Sequence, residues 1–169
     1  VIDTLKLGVD IGSTTVKVVV ADRFQKTVFS QYKRHFSEIK ATLQELLENA
    51  YNAIGNAKVT ALMTGSGGVS MAEAVGMEFI QEVVATANAV AAVAPKCDVA
   101  IELGGEDAKI IYFKGGIEQR MNGVCAGGTG SFIDQMASLL QTDASGLNEY
   151  AKSHKVIYPI ASRCGVFAK

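Results

Sequence analysis

The sequence predicts an α/β fold built from two similar β-β-β-α units, and three observations lead there. Apolar residues alternate over stretches of strand length near the N-terminus and again in the second half. Segments with apolar residues at helical spacing separate those stretches. The 17 glycines gather in a few short clusters, where a backbone turns sharply or lets another group come close.

The elements follow in order. Leu5 to Gly12 and Thr15 to Asp22 read as two strands joined by a tight turn at Gly12, Ser13 and Thr14, and Lys26 to Lys33 gives a third. Phe36, Ile39, Leu43, Leu46, Leu47, Ala50 and Ile54 recur at helical spacing, and Gly55 supplies a stop. Val59 to Met63 is a short strand that runs into Thr64 to Gly68, a loop that either touches a ligand or only links strand to helix. Helices are expected over Val69 to Val75 and, alanine-rich and closely packed, over Glu82 to Ala94, closed by Pro95. The pattern then restarts with strands at Val99 to Leu103, Ala108 to Phe113 and Gly116 to Met121. The glycine-rich passage Gly123 to Gly130 leads into a helix from Phe132 to Leu140. A polar helix near Ser145 to Ser153 and a strand at Val156 to Ile160 complete the reading. The expected lobes are residues 1–95 and 96–169.

Bulk properties exclude several function classes. A chain of 169 residues is long enough for one large domain or two small lobes. With 49% apolar and 20% charged residues it has the composition of a soluble globular protein. A formal net charge of -1 provides no field to attract nucleic acid or an anionic membrane, so neither is expected as a partner. No segment reaches the roughly 18 apolar residues that span a bilayer, and the N-terminus lacks a signal-peptide pattern. Three cysteines, an odd number without dense spacing, do not make a disulfide scaffold. The expectation is a cytoplasmic chain with reduced thiols.

The two first hairpins carry the chemistry. Asp10 stands two residues before Gly12, and Ser13, Thr14 and Lys17 follow; Glu102 stands two residues before Gly104, and Gly105, Glu106, Asp107 and Lys109 follow. Glycine lets the N–H groups of a turn crowd an anionic oxygen. The nearby carboxylate can hold a hydrated divalent cation, and hydroxyls or a lysine add donors. One such hairpin is a common turn signal; two at matching places in a repeated unit are a phosphate-binding pattern.

Both hairpins resemble the phosphate-1 and phosphate-2 motifs of the actin, sugar-kinase and Hsp70 superfamily, whose ATPase fold is ribonuclease-H-like. More narrowly, the chain resembles the activator ATPases (component A) of 2-hydroxyacyl-CoA dehydratases and benzoyl-CoA reductases, including the N-terminal region of long CoA-enzyme activases. Five segments carry that match: Gly8 to Lys17, Thr64 to Gly67, Glu102 to Lys109, Asn122 to Asp134, and Ser162 to Lys169. The resemblance implies a homodimer that binds ATP or ADP with Mg2+ and shares one [4Fe-4S] cluster, each subunit giving two thiolates. It implies ATP-driven transfer of a low-potential electron, received from a ferredoxin or flavodoxin, to a partner CoA-ester dehydratase or reductase. Carried over residue by residue, Asp10, Gly12, Ser13, Thr14 and Lys17 meet phosphate-1. Gly104, Gly105, Asp107 and Lys109 meet phosphate-2, Gly127, Gly128 and Thr129 lie where nucleotide approaches, and Cys125 and Cys164 are the cluster ligands. Where the family often has aspartate and glutamine, this chain has Glu102 and Glu106, and Glu106 could act as a general base, repel phosphate or bind metal. Complete members continue past the position of Lys169, so the second lobe is expected to be cut short.

Read from the residues alone, Cys125 and Cys164 in glycine-bearing loops are either packed thiols or cofactor ligands, and two from each of two subunits would make the four thiolates a cluster needs. Cys97, before a strand, reads as a small buried residue. His35 and His154 have no second ligand at metal spacing and are expected to be exposed. Met63, Met71, Met77, Met121 and Met136 read as core fillers, and Lys33 to His35 as a solvated turn. A small-molecule kinase of the same fold would need a catalytic aspartate outside the phosphate loops. A nucleotide-dependent scaffold would leave the cysteines incidental.

Overall fold

The computed structural model describes residues 4–122, 127–161 and 164–168. Two compact units divide the chain, Val1–Pro95 and Lys96–Lys169. The first contains β1 (Leu5–Ile11), β2 (Thr15–Ala21), β3 (Thr27–Arg34), α1 (Ile39–Ile54), β4 (Val59–Thr64), α2 (Gly68–Val75), β5 (Glu78–Phe79) and α3 (Glu82–Val93). Its sheet has the order β3-β2-β1-β4-β5. β1 to β3 form an antiparallel meander, while β4 lies parallel to β1 and β5 parallel to β4.

Alternation decides which face of this sheet is core. Val16, Val18 and Val20 of β2 are each 0% exposed, so one face takes all three, and Lys17 and Val19 fall on the other. Val9, Ile11 and Met63 join the valines, and Leu43, Leu46 and Ala50 of α1 with Ala72 of α2 close over them. Each large aliphatic side chain buried there contributes about 1.5–3 kcal/mol. The opposite face, bearing Gly8, Asp10, Lys17, Val19, Leu62 and Thr64, borders a cleft of about 470 Å3. The hairpin's chemistry therefore sits on the face that the core does not use.

The second unit holds β6 (Val99–Leu103), β7 (Ala108–Tyr112), β8 (Glu118–Met121), α4 (Gly130–Leu139) and α5 (Ala144–Lys152). Its three strands form an antiparallel sheet in the order β6-β7-β8. Ile111 is fully buried on β7, and Ala137 is the buried residue of α4. The Asp143 carboxylate caps α5, accepting from the Ser145 hydroxyl and the Gly146 N–H. Those two bonds, the hydroxyl's foremost, hold the Asp143 carboxyl below its ordinary value. The cap is therefore at full strength above the usual carboxylate pKa and fades as pH falls through the lowered one.

Several expectations change. α1 begins at Ile39, not Phe36, because Phe36 and Ser37 have φ of 45° and 71°. That left-handed backbone is uncommon for residues other than glycine and ends any helix, and periodicity cannot see it. Val156 to Ile160 is not a strand: its β-branched and aromatic residues have strand propensity, but they find no ladder partner among the described residues and Ile157 is 83% exposed. β5, two residues long, is too short to leave a pattern. Met63 is core, and Met71 and Met77 pack against it, but Met121 lies exposed on β8, an edge strand. The alanine-rich α3 buries only Ala87, so close packing does not extend along it.

Leu46→Ala should lower unfolding free energy by about 2–5 kcal/mol, as for a fully buried core leucine. Phe36→Ala, at a side chain 81% exposed, should shift it by less than about 0.5 kcal/mol. Urea denaturation of both variants checks the assignment of core and surface.

Candidate functional site

The first hairpin closes when the Gly12 N–H donates to the Thr15 carbonyl at 2.9 Å. The antiparallel register sets Asp10 opposite Lys17, and the Lys17 Nζ lies 2.6 Å from the Asp10 Oδ2. The second hairpin repeats this construction. The Gly104 N–H donates to the Asp107 carbonyl at 2.9 Å, and the register sets Glu102 opposite Lys109. The Lys109 Nζ lies 3.5 Å from the Glu102 Oε1 and 3.2 Å from the Asp107 Oδ2. Lys109 is buried, where an ammonium is costly unless paired; these two carboxylates pair it.

The carboxylate oxygens that face away from the lysines are different. Among the described residues, the buried side-chain nitrogens and oxygens without a hydrogen-bond partner are Asp10 Oδ1, Glu102 Oε2 and Thr64 Oγ1. Thr64 is the parallel register partner of Asp10 across β1 and β4. A buried polar atom left unpaired costs about 1–3 kcal/mol, and native folds leave few of them. Each hairpin thus holds one carboxylate oxygen on its lysine and leaves the other buried without a hydrogen-bond partner.

Glycines define the walls. Gly65 has φ 97°, and a Cβ there would overlap the Ile11 carbonyl and the Asp10 carboxylate. The Gly67 N–H donates to the Ile11 carbonyl at 2.9 Å, so the loop after β4 lies against the end of β1 beside Asp10. A Cβ on Gly104 would overlap the Asp107 carboxylate. Gly12 contrasts with both: a Cβ there would meet nothing nearer than the Thr15 Oγ1 at 3.6 Å, an ordinary contact. The packing of the chain itself does not demand glycine at position 12.

In the second unit, the Gly130 and Ser131 N–H groups donate to the carbonyls of Gly104 and Gly105 at 2.8 and 2.9 Å. The Ser131 hydroxyl also donates to Gly105. The first donors of α4, which a helix start leaves free, are thereby spent on the turn, directly after Gly127, Gly128 and Thr129 in the chain. Thr129, next to the helix start, is fully buried, and Gly128 has φ 81°. Ser13, Thr14 and Glu106 belong to the two turns, with Glu106 in the place that Thr14 holds in the first.

His35 departs from expectation. It is 6% exposed, not solvated. The Ser37 N–H donates to its Nδ1 at 3.0 Å, its Nε2 lies 3.2 Å from the Gly12 carbonyl, and its own N–H donates to the Thr14 carbonyl at 3.2 Å. The signal that could have found it is register: Arg34 pairs with Thr15, so the next residue comes up beside Thr14. His154 is exposed at the end of α5, as expected, with Nδ1 2.8 Å from the Ala151 carbonyl.

Of the three cysteines, Cys125 lies outside the described residues. Cys164 is half-buried in a turn that the Ala168 N–H closes on the Cys164 carbonyl. The adjoining Gly165 packs against Phe132 and Gly127: a Cβ there would lie 3.2 Å from the Phe132 Cδ2 and 3.6 Å from the Gly127 Cα. Cys97 is half-buried and its thiol donates locally to the Val99 carbonyl at 3.0 Å. Among the described residues, no three His, Cys, Asp or Glu side chains gather into a metal-binding group, and no helix is long and apolar enough to cross a membrane.

Two meander units, each with a carboxylate and lysine flanking a glycine turn, have the fold class of the actin and Hsp70 ATPases. A solved structure of the 2-hydroxyisocaproyl-CoA dehydratase activator from Clostridium difficile, with bound ADPNP, is similar to this chain at a TM-score of 0.84 and 28% identity, over 98% of this chain and 63% of that one. The chain belongs to the BadF/BadG/BcrA/BcrD ATPase family, which it matches over residues 7–169. It is 33% identical to the (R)-2-hydroxyglutaryl-CoA dehydratase activating ATPase of Acidaminococcus fermentans, over 96% of this chain and 64% of that protein. It is 31% identical to the activator of lactoyl-CoA dehydratase of Anaerotignum propionicum, over the same shares of the two chains. The chain thus spans 64% of the length of these two curated relatives.

Gly65→Ala should destabilise the chain by more than about 1 kcal/mol, because its φ and its neighbours both exclude a Cβ. Gly12→Ala should leave stability within about 1 kcal/mol of the parent, since a Cβ makes only ordinary contacts there. Denaturant midpoints compare the two directly.

Proposed function

We propose that this chain is the nucleotide-gripping part of an ATP-hydrolysing activator, and that each hairpin, taken by itself, is built to bind phosphate groups of Mg-ATP. The observation that carries the reading is the pair of buried, bare carboxylate oxygens, Asp10 Oδ1 and Glu102 Oε2, each beside a closed glycine turn. Asp10 and Glu102 would hold hydrated Mg2+, which supplies positive charge against the phosphate oxygens. Thr64 Oγ1, bare and in register with Asp10, is a further donor or acceptor on the same wall.

The remaining roles follow from chemistry. The Gly12 and Gly104 N–H groups close their turns, so the N–H groups of Ser13, Thr14 and Gly105 would face the anion, with the Ser13 and Thr14 hydroxyls as added donors. Lys17 and Lys109 fix the carboxylates and balance their charge. Asp107 pairs with Lys109, which orders the second turn. Glu106, one residue before it, would act as base toward the attacking water. Gly127, Gly128 and Thr129, directly before α4 in the chain, line the nucleotide's approach. Because Gly12 has no packing reason to be glycine, close approach of a phosphate supplies one.

We further propose that the complete protein works as a homodimer around a [4Fe-4S] cluster with Cys125 and Cys164 as each subunit's ligands. The turn of Cys164 packs on Gly127, two residues after Cys125 in sequence, which supports the pairing. The cluster supplies one-electron chemistry: a ferredoxin- or flavodoxin-type donor reduces it, and a CoA-ester dehydratase or reductase takes the electron. The activating roles printed for the relatives support that partner class.

Asp10→Asn and Glu102→Gln should each reduce Mg-ATP hydrolysis by about a hundredfold or more while leaving the fold intact. Rates within about threefold of the parent would remove that carboxylate from the assignment. Cys164→Ala should abolish the brown iron–sulfur absorbance after anaerobic reconstitution, and Cys97→Ala should retain it. Full iron content in the Cys164 variant would remove it as a ligand.

A further inference from the structure

Three features of the first unit converge on His35. The ring is buried, its two nitrogens both have partners, and those partners lie in two different segments, the Gly12 turn and the positive-φ corner at Phe36 and Ser37. Since the Ser37 N–H donates to Nδ1 at 3.0 Å, Nδ1 must present a lone pair. In the neutral ring the proton then sits on Nε2, which donates to the Gly12 carbonyl at 3.2 Å. The His35 backbone N–H takes the Thr14 carbonyl as well. One residue therefore holds the carbonyls on both sides of Ser13.

The geometry of the peptide gives those bonds a consequence. A peptide unit is planar and trans, so its N–H points opposite to its C=O. Drawing the Gly12 carbonyl toward β3 turns the Ser13 N–H away from β3, out of the turn. The corner that presents Ser37 to the ring is strained: Phe36 and Ser37 have φ of 45° and 71°. Packing does not account for it, since the Phe36 side chain is 81% exposed. The hydrogen bonds to His35 do.

We propose that His35 is a positioning residue for phosphate binding: it locks the Gly12 peptide so that the Ser13 N–H is already aimed at the anion before nucleotide arrives. This inference rests on reading the turn from Gly12 to Thr14 as a phosphate grip. A donor fixed in advance binds an anion better than one that must first be ordered. His35 touches neither nucleotide nor metal, and acts through the backbone alone.

Titration calorimetry of Mg-ATP into the parent, His35→Leu and His35→Gln tests it. The leucine variant, which cannot donate to Gly12, should bind about tenfold more weakly, the value of one hydrogen bond. The glutamine variant, whose amide can donate in place of Nε2, should recover most of that loss. Equal affinities in all three would overturn the inference while leaving the phosphate grip standing. No binding by the parent would overturn both. A measurement on the parent alone keeps the test independent of variant folding: ring nitrogen NMR should find the proton on Nε2 and a shift on adding Mg-ATP. A proton on Nδ1, or a ring indifferent to Mg-ATP, would also overturn it.

Discussion

A carboxylate held on one side by a lysine and left bare on the other is the constraint on which the site depends. Antiparallel pairing alone creates it. Once the Gly12 N–H closes on Thr15, register brings Lys17 opposite Asp10; once the Gly104 N–H closes on Asp107, register brings Lys109 opposite Glu102. The lysine takes one oxygen, and burial denies water to the other. An unpaired buried oxygen is a standing cost to the fold, and the proposed hydrated cation would offset it.

The rest of the first unit keeps the hairpin in place. Valines at alternate positions of β2 commit one face of the sheet to the core and leave Lys17 on the other. The loop after β4 presses Gly65 against Asp10 and Ile11. β3 delivers His35 to the back of the turn, where strain at Phe36 and Ser37 is balanced by hydrogen bonds to the ring and backbone. In the second unit the same service is performed from another direction, by the first N–H groups of α4 on the carbonyls of Gly104 and Gly105. The two turns share a closing bond but are braced differently, which fits their different residues: hydroxyls in one, carboxylates in the other.

Much of this was legible in the sequence because it is local. Strand alternation, helical spacing and glycine punctuation placed most elements, and the repeated spacing from carboxylate through glycine to lysine marked both hairpins. What was not legible depends on long-range register or backbone sign. His35 reads as a polar residue after a strand, and only its pairing with the β1–β2 turn buries it. Phe36 fits the helical period, but a positive φ puts it outside α1. Val156 to Ile160 has strand composition without a partner strand among the described residues. The bare oxygens of Asp10, Thr64 and Glu102 could not be foreseen either, since exposure of single atoms follows from packing.

The central claim is that each turn grips the phosphates of a metal nucleotide. Replacing Mg2+ with paramagnetic Mn2+ in an ATP complex broadens amide resonances close to the metal, so the backbone NMR spectrum of the labelled chain reads the claim directly. The account predicts that the amides of Gly12 to Thr15 broaden on adding Mn-ATP, that those of Gly104 to Asp107 do so as well, and that amides over the α1 face of the first sheet do not. Broadening confined to one turn, or spread evenly over the chain, would contradict it.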